Sequence, residues 1–226
     1  MQHKIFCYLL HFNTFRSIQN YSVSLPNLRT MSSSNSNSAK KKGPGHWSTG
    51  LLTSMEDPEM IVDEDDQCVT IKDKYPKARY HFLVLPKEKI NSLKNLNGDN
   101  VKLLKHIQSK GREIADKADK HLLFRFGYHA VPSMGHLHLH VISQDFNSPC
   151  LKTKKHWNSF TTEYFIDSER IIKKLEKKGR IEIDTSSSEI LLKQDLQCHI
   201  CSKKLSTIPA LKSHIALHSV SRKKST

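Results

Sequence analysis

The 226-residue chain carries 36 Lys and Arg against 22 Asp and Glu, a formal net charge of +14, with 37% hydrophobic residues and a mean hydropathy of −0.54. That is room for one medium domain plus a small module. No run approaches the roughly 20 apolar residues of a membrane-crossing helix, and five irregularly spaced cysteines are not a secreted disulfide scaffold. The basic excess sits late, with 16 basic and 8 acidic side chains after residue 150. It suits a polyanionic partner, nucleic acid first, or else a solvated basic surface.

Residues 1–30 lack Asp and Glu, include Lys4, Arg16 and Arg29, and hold an apolar run from Ile5 to Leu10, which is the composition of an organelle presequence. Met31 offers an alternative start. A Ser/Asn-rich stretch, three lysines and Gly43-Pro44-Gly45 then complete a flexible basic leader over 1–45. Strands are predicted at Cys68–Ile71 and at Tyr80–Leu85, the second stopped by Pro86. From Asn100 to Lys120, Val101, Leu104, Ile107, Ile114 and Ala118 fall near one helical face, with Asp99 or Asn100 as cap. Leu122–Phe126 and His136–Ile142 are predicted strands. Ser168-Glu169 opens a helix carrying Ile171, Ile172 and Leu175 and ending at Gly179. Thr185–Ser188 is a turn or linker. The divisions expected are a leader over 1–45, a main domain over 46–150, a basic helical extension over 151–190, a finger over 191–218 and a basic tail over 219–226.

The run His136-Leu137-His138-Leu139-His140-Val141-Ile142 says most about chemistry. Successive strand side chains point to opposite faces, so the apolar residues are expected to share a buried face and the three histidines the other. Imidazoles with an ordinary pKa of about 6.5 suit proton transfer, metal binding or nucleophilic attack. Three readings stand: a polar sheet face, a zinc site lacking a nearby carboxylate or cysteine, and covalent nucleotidyl transfer by one imidazole.

Cys198, Cys201, His214 and His218 have the spacing C-x2-C-x12-H-x3-H, which fits tetrahedral zinc. One structural zinc per chain is expected, because so small a unit cannot fold on its own core. Leu196, Leu205 and Leu211 are its packing residues. The base-reading helix positions are Thr207, Ala210 and Ser213, none of which offers a bidentate pairing. The finger is therefore expected to grip phosphates through Lys203, Lys204, Lys212 and the basic tail, or to pack on the main domain. A protein-interaction finger is the other role. His199 is read as a surface residue.

The histidine run matches His-φ-His-φ-His-φ-φ and resembles the histidine-triad (HIT) superfamily. Ile71-Lys72-Asp73-Lys74-Tyr75-Pro76 and His81-Phe82-Leu83-Val84-Leu85-Pro86 resemble that family's nucleotide-cradling turn and following strand. A more particular resemblance is to the branch acting on adenylated DNA ends. It is carried by His46-Trp47-Ser48, Ser54-Met55, Tyr75–His81, Gly127–Met134 and Lys152–Asn158, and spans about His46 to His218.

The resemblance implies an α+β fold, a HIT antiparallel sheet with helices followed by a ββα finger. It implies His138 as nucleophile, forming a phosphoramidate with AMP, with His136 and His140 orienting it and no catalytic metal. Asp73 matches the ribose-contacting position, and His129 and Lys155 match positions at the DNA end's phosphate. Ser54, Asp73, Lys74, Tyr75, Pro76, Lys77, Ser133 and Met134 match positions lining nucleotide and DNA. Trp47 matches the segment that stacks on the end base pair, where ordinary packing is the alternative. Lys155 stands in Lys152-Thr153-Lys154-Lys155, which reads equally as a solvated basic run. His81 reads as a satisfied core histidine. The implied partners are nicked or broken DNA ends bearing 5′-AMP and the product AMP, bound by a monomer and with no membrane. The implied location is nuclear, with a mitochondrial form if residues 1–30 are translated. Rival readings are a general HIT hydrolase of dinucleoside polyphosphates or nucleoside phosphoramidates, and a non-catalytic zinc-finger regulator. Longer members of the branch begin with a forkhead-associated domain, which residues 1–45 are too short and polar to form.

Overall fold

The computed structural model describes residues 50–218; the leader, Trp47 and the basic tail lie outside the described residues. Six strands, β1 (Ile61–Glu64), β2 (Cys68–Lys72), β3 (His81–Pro86), β4 (Phe124–His129), β5 (Leu139–Ser143) and β6 (Phe165–Asp167), form one antiparallel sheet in the order β1-β2-β3-β5-β4-β6. The helices are α1 (Gly50–Met55), α2 (Val101–Asp119), α3 (Lys154–Thr161), α4 (Ser168–Lys178), α5 (Ser188–Lys193) and α6 (Ile208–Ile215).

Strand alternation divides the core. Val84, Leu139, Val141 and Tyr128 point to the face covered by α2 and α4, where Leu104, Ile107, Ile171 and Leu175 meet them. Those helix residues recur at helical spacing, and each buried Leu or Ile contributes about 1.5–3 kcal/mol. α4 ends where Gly179 takes φ 67 and its N–H bonds the Leu175 carbonyl at 2.8 Å, a left-handed cap. The other face carries two clusters. Val69, Ile71, Leu83 and Leu85 pack with Leu51 of α1. Ile142 and Phe165 pack with Trp157 and Phe160 of α3 and with the finger's Leu196, Leu211 and Ile215.

Three departures from the sequence reading bear on the site. The strand predicted to begin at His136 begins at Leu139. β3 continues to Pro86, but its pairing with β5 ends at Val84 and Leu139; the Leu137 N–H goes instead to Ile90 O at 2.7 Å, and His136 adopts φ 79. The predicted helical extension also supplies β6, which pairs with β4. Gly127 permits that pairing, since a Cβ there would lie 2.5 Å from the Ile166 carbonyl oxygen. The finger's β-hairpin is reduced to one bridge, Gln197 to Lys204.

Candidate active site

The histidines gather between the two clusters of the second face. His138 and His140 have ring centroids 4.9 Å apart, His129 lies 4.4 Å from His140, and His81 of β3 lies 5.2 Å from it. Strand register explains the last pair, because β3 and β5 are adjacent, with Leu83 opposite His140. Phe160 of α3 packs on three of these rings, 5.3 Å from His81, 4.7 Å from His129 and 5.3 Å from His140. His136 points elsewhere. Its Nε2–H donates to the Pro86 carbonyl at 2.7 Å, and its own carbonyl accepts from His138 Nδ1–H at 2.8 Å. The left-handed backbone at His136 therefore aims a carbonyl at the next imidazole. With Nδ1 holding the proton, the His138 Nε2 lone pair is free to attack.

The tautomer of His140 follows from the same accounting. The Lys77 N–H donates to His81 Nδ1 at 3.2 Å, so neutral His81 carries its proton on Nε2. That Nε2–H donates to His140 Nδ1 at 2.9 Å. His140 then presents an N–H at Nε2, a buried atom with no partner. Asp73 Oδ2 stands 3.5 Å from His81 Nδ1, beyond the backbone donor that occupies that nitrogen. His129 likewise has its Nε2 buried without a partner. The buried His140 Nε2–H beside the free lone pair of His138 makes a place for a phosphoryl oxygen.

Burial keeps these rings neutral. It pushes His81 down to about 4 and His129 down to about 3, the neighbouring cations adding to the effect at His129. His140 is driven well below the ordinary value by burial, reinforced by His129, His138 and Lys77. Burial also lowers His138, opposed by its bond to the His136 carbonyl and by the Asp73 charge. A neutral imidazole at ordinary pH keeps the lone pair that nucleophilic attack requires.

Asp73 and Lys77 join this group, since both charges act on the imidazoles. Asp73 Oδ1 accepts the Tyr75 N–H at 2.7 Å and so shapes the turn holding Lys74, Tyr75 and Pro76. Lys77 Nζ donates to the Tyr75 carbonyl. Met134 packs with Leu51 and Met55 beside α1. Ser54 spends its hydroxyl on Gly50 O at 2.8 Å, Ser133 is exposed, and Lys155 is exposed in the first turn of α3. The reading of His81 as a satisfied core histidine holds, both ring nitrogens being bonded; its link to His140 was missed, and so was Phe160. The signal for His81 was its place one residue inside a strand beside the turn, on the face of Leu83. Phe160 had none.

At the finger, one ligand atom from each of Cys198, Cys201, His214 and His218 lies within 4.8 Å of the others. Cys201 Sγ is 3.1 Å from His214 Nε2, which is 3.2 Å from His218 Nε2. Bonds of about 2.0–2.3 Å to a tetrahedral zinc separate ligands by about 3.3–3.8 Å, a few tenths of an ångström wider than these two separations, so the residues suit the ion after a small outward shift. The finger docks on the sheet domain. Trp157 Nε1–H donates to Gln197 O at 3.0 Å, and Asn158 Nδ2 donates to Leu192 O and Gln194 O at 3.1 and 2.7 Å. His199 is not a surface residue. Its ring packs edge-on against Phe146 and Trp157 at 5.0 and 5.4 Å, and burial pushes it down to about 4.

Comparison with known proteins agrees with both halves. Residues 46–156 match the family described as scavenger mRNA decapping enzyme C-term binding, and residues 161–220 match the C2HE / C2H2 / C2HC zinc-binding finger. The chain is 56% identical over 181 residues to aprataxin of Danio rerio, covering 79% of this chain and 56% of that one. It is 31% identical to an aprataxin-like protein of Saccharomyces cerevisiae, covering 76% of this chain and 95% of that protein. The crystal structure of the aprataxin ortholog Hnt3 in complex with DNA superimposes with a TM-score of 0.61 at 26% identity, covering 74% of this chain and 92% of that one. The chain spans 48% to 61% of the length of the aprataxins of Danio rerio, Gallus gallus and Ciona intestinalis. With a family match over each half and relatives of this identity, the chain belongs to the aprataxin family.

Proposed function

We propose that this protein removes AMP from 5′-adenylated DNA ends, restoring the 5′-phosphate. The observation that carries the reading is the bond from His138 Nδ1–H to the His136 carbonyl, which leaves Nε2 as a nucleophile in a sealed, neutral imidazole group. That lone pair attacks the phosphorus of the AMP moiety. A P–N bond forms, the P–O bond to the DNA's 5′-phosphate breaks, and the leaving phosphate takes the electron pair. Water then attacks the same phosphorus, the P–N bond breaks, and AMP departs. His140 Nε2–H donates to a phosphoryl oxygen during both steps, and positioning with charge stabilisation supplies most of the rate. His129 and Lys155 face the DNA phosphate. Asp73 takes the ribose hydroxyls, and Ser54, Lys74, Tyr75, Pro76, Lys77, Ser133 and Met134 line nucleotide and DNA. Trp47 stacks on the end base pair.

One structural zinc per chain holds the finger. The basic final third, with 16 basic against 8 acidic side chains after residue 150, and the DNA bound by the similar Hnt3 support DNA as the partner. The protein works as a monomer in the nucleus, with a mitochondrial form if residues 1–30 are translated.

A 5′-adenylated nicked duplex tests the reading. The wild-type chain should release AMP, His138→Ala should abolish release while leaving folding intact, and acid-labile AMP should map to His138. Labelling at any other residue sinks the assignment. Turnover of dinucleoside polyphosphates without turnover of adenylated DNA would make this a general HIT hydrolase.

A further inference from the structure

The loop between β5 and α3 is gripped from both sides. Towards the nucleotide turn, the Ser148 hydroxyl donates to the Pro76 carbonyl at 2.5 Å, and Asp145 Oδ1 accepts the Arg79 N–H at 3.0 Å. Towards the finger, Lys212 Nζ of α6 donates to the Ser148 carbonyl at 2.7 Å. Phe146 packs on Trp157 at 4.8 Å and on His199 of the finger at 5.0 Å. Ser148 is 2% exposed, and its hydroxyl also accepts the Cys150 N–H at 3.1 Å. Phe146 sits at φ 47, a region that a bulky L-residue keeps only where its surroundings over-determine it. Those surroundings include the finger.

The far end of this chain of contacts is the imidazole group. The Pro76 carbonyl and the Lys77 N–H belong to one planar peptide unit. Ser148 holds that unit by its oxygen, and His81 Nδ1 holds it by its N–H at 3.2 Å. The same His81 donates to His140. A tilt of this peptide would move the turn and weaken the bond that sets the His140 tautomer.

We propose that the finger is a positioning element of the AMP pocket, with Lys212 acting through Ser148 to hold the peptide Pro76–Lys77 in place. This rests on the reading of the 73–77 turn as a nucleotide cradle. Lys212 then spends its ammonium on a protein carbonyl, a charge-assisted bond, and not on a DNA phosphate. Lys212 and Ser148 are positioning residues; neither touches the reacting atoms.

The test uses the full zinc-loaded chain and two readouts, amide hydrogen exchange without ligand and AMP affinity by calorimetry. Lys212→Met and Ser148→Ala should each speed exchange at the Lys77 amide by about tenfold, leaving α2 and the zinc content unchanged. AMP affinity should fall by about tenfold in both variants. Lys212→Arg should restore most of it, and the double variant should be no worse than Ser148→Ala alone. Unchanged Lys77 exchange in Lys212→Met overturns the proposal whether or not AMP binds. Unchanged exchange with weaker DNA binding would make Lys212 a phosphate contact instead. A wild-type chain that does not bind AMP would overturn the nucleotide reading of the site, while the exchange result would still decide the role of Lys212.

Discussion

In the groove, His81, His138 and His140 each have a ring nitrogen committed to another group of the protein, and Phe160 closes over the cluster. In the finger, His214 and His218 face each other at 3.2 Å, with Cys201 at 3.1 Å, an arrangement in which four ligands point at one spot. One set is fixed by a folded core and must stay uncharged to be useful. The other has the spacing that a metal ion would fix, and its few apolar residues, Leu196 and Leu211 among them, lean on Trp157 and Phe160 of the sheet domain. The same residue type thus serves opposite ends: in the groove the protein supplies order and the imidazole supplies chemistry, and in the finger the imidazole supplies order.

Removing the metal should produce the largest effect. Zinc binding in finger peptides is worth about 10–16 kcal/mol, so chelation should release one zinc per chain and melt residues 196–218 before the sheet domain. Helical signal and thermal midpoint unchanged after metal removal would break the contrast. A smaller loss is expected at Phe160. Phe160→Ala should cost about 3–5 kcal/mol and admit water to the rings, letting the groove histidines titrate closer to about 6.5. Ring titration by NMR checks this; unmoved imidazole signals would show that the wall is not what keeps them neutral.

Acid supplies the finest test. His81 and His129 titrate when folded at about 4 and about 3, below their unfolded value, and His138 and His140 are lowered as well. Between about pH 6.5 and pH 4 the unfolded chain therefore holds more protons, and stability falls as pH falls. Each such histidine adds a slope of about 1.4 kcal/mol per pH unit within that window. Urea unfolding at several pH values, with zinc in excess, should show His129→Gln losing about one histidine's share of the slope. An identical slope in that variant would mean that His129 is already solvated.

Much of this was legible in the sequence because it depends on local pattern. The α2 stripe of Leu104, Ile107 and Ile114, the Gly179 cap and the four zinc ligands follow from spacing. So does the presence of His136, His138 and His140 together. What alternation could not give was their division of labour. A strand beginning at His136 would put three equivalent rings on one face, but the pairing with β3 begins only at Leu139, and the His136 ring turns aside to the Pro86 carbonyl. His81 and Phe160 reach the groove through register and through packing of α3, both long-range, so the strand position of His81 hinted at its face but not at its bond to His140, and Phe160 gave no sign. His199 was misjudged for the same reason: its neighbours Phe146 and Trp157 are more than 40 residues away in the chain.

The two ends of the sheet have a consequence for how the protein behaves at high concentration. β1 is four residues long, its register breaks between Ile61 and Asp63, and it runs into the acidic stretch Asp63 to Asp66. β6 is three residues long and passes directly into α4. A bulged, acidic border and a border one turn long offer little template for a strand from another molecule. Ribbon-like self-association through these borders is disfavoured by their shape.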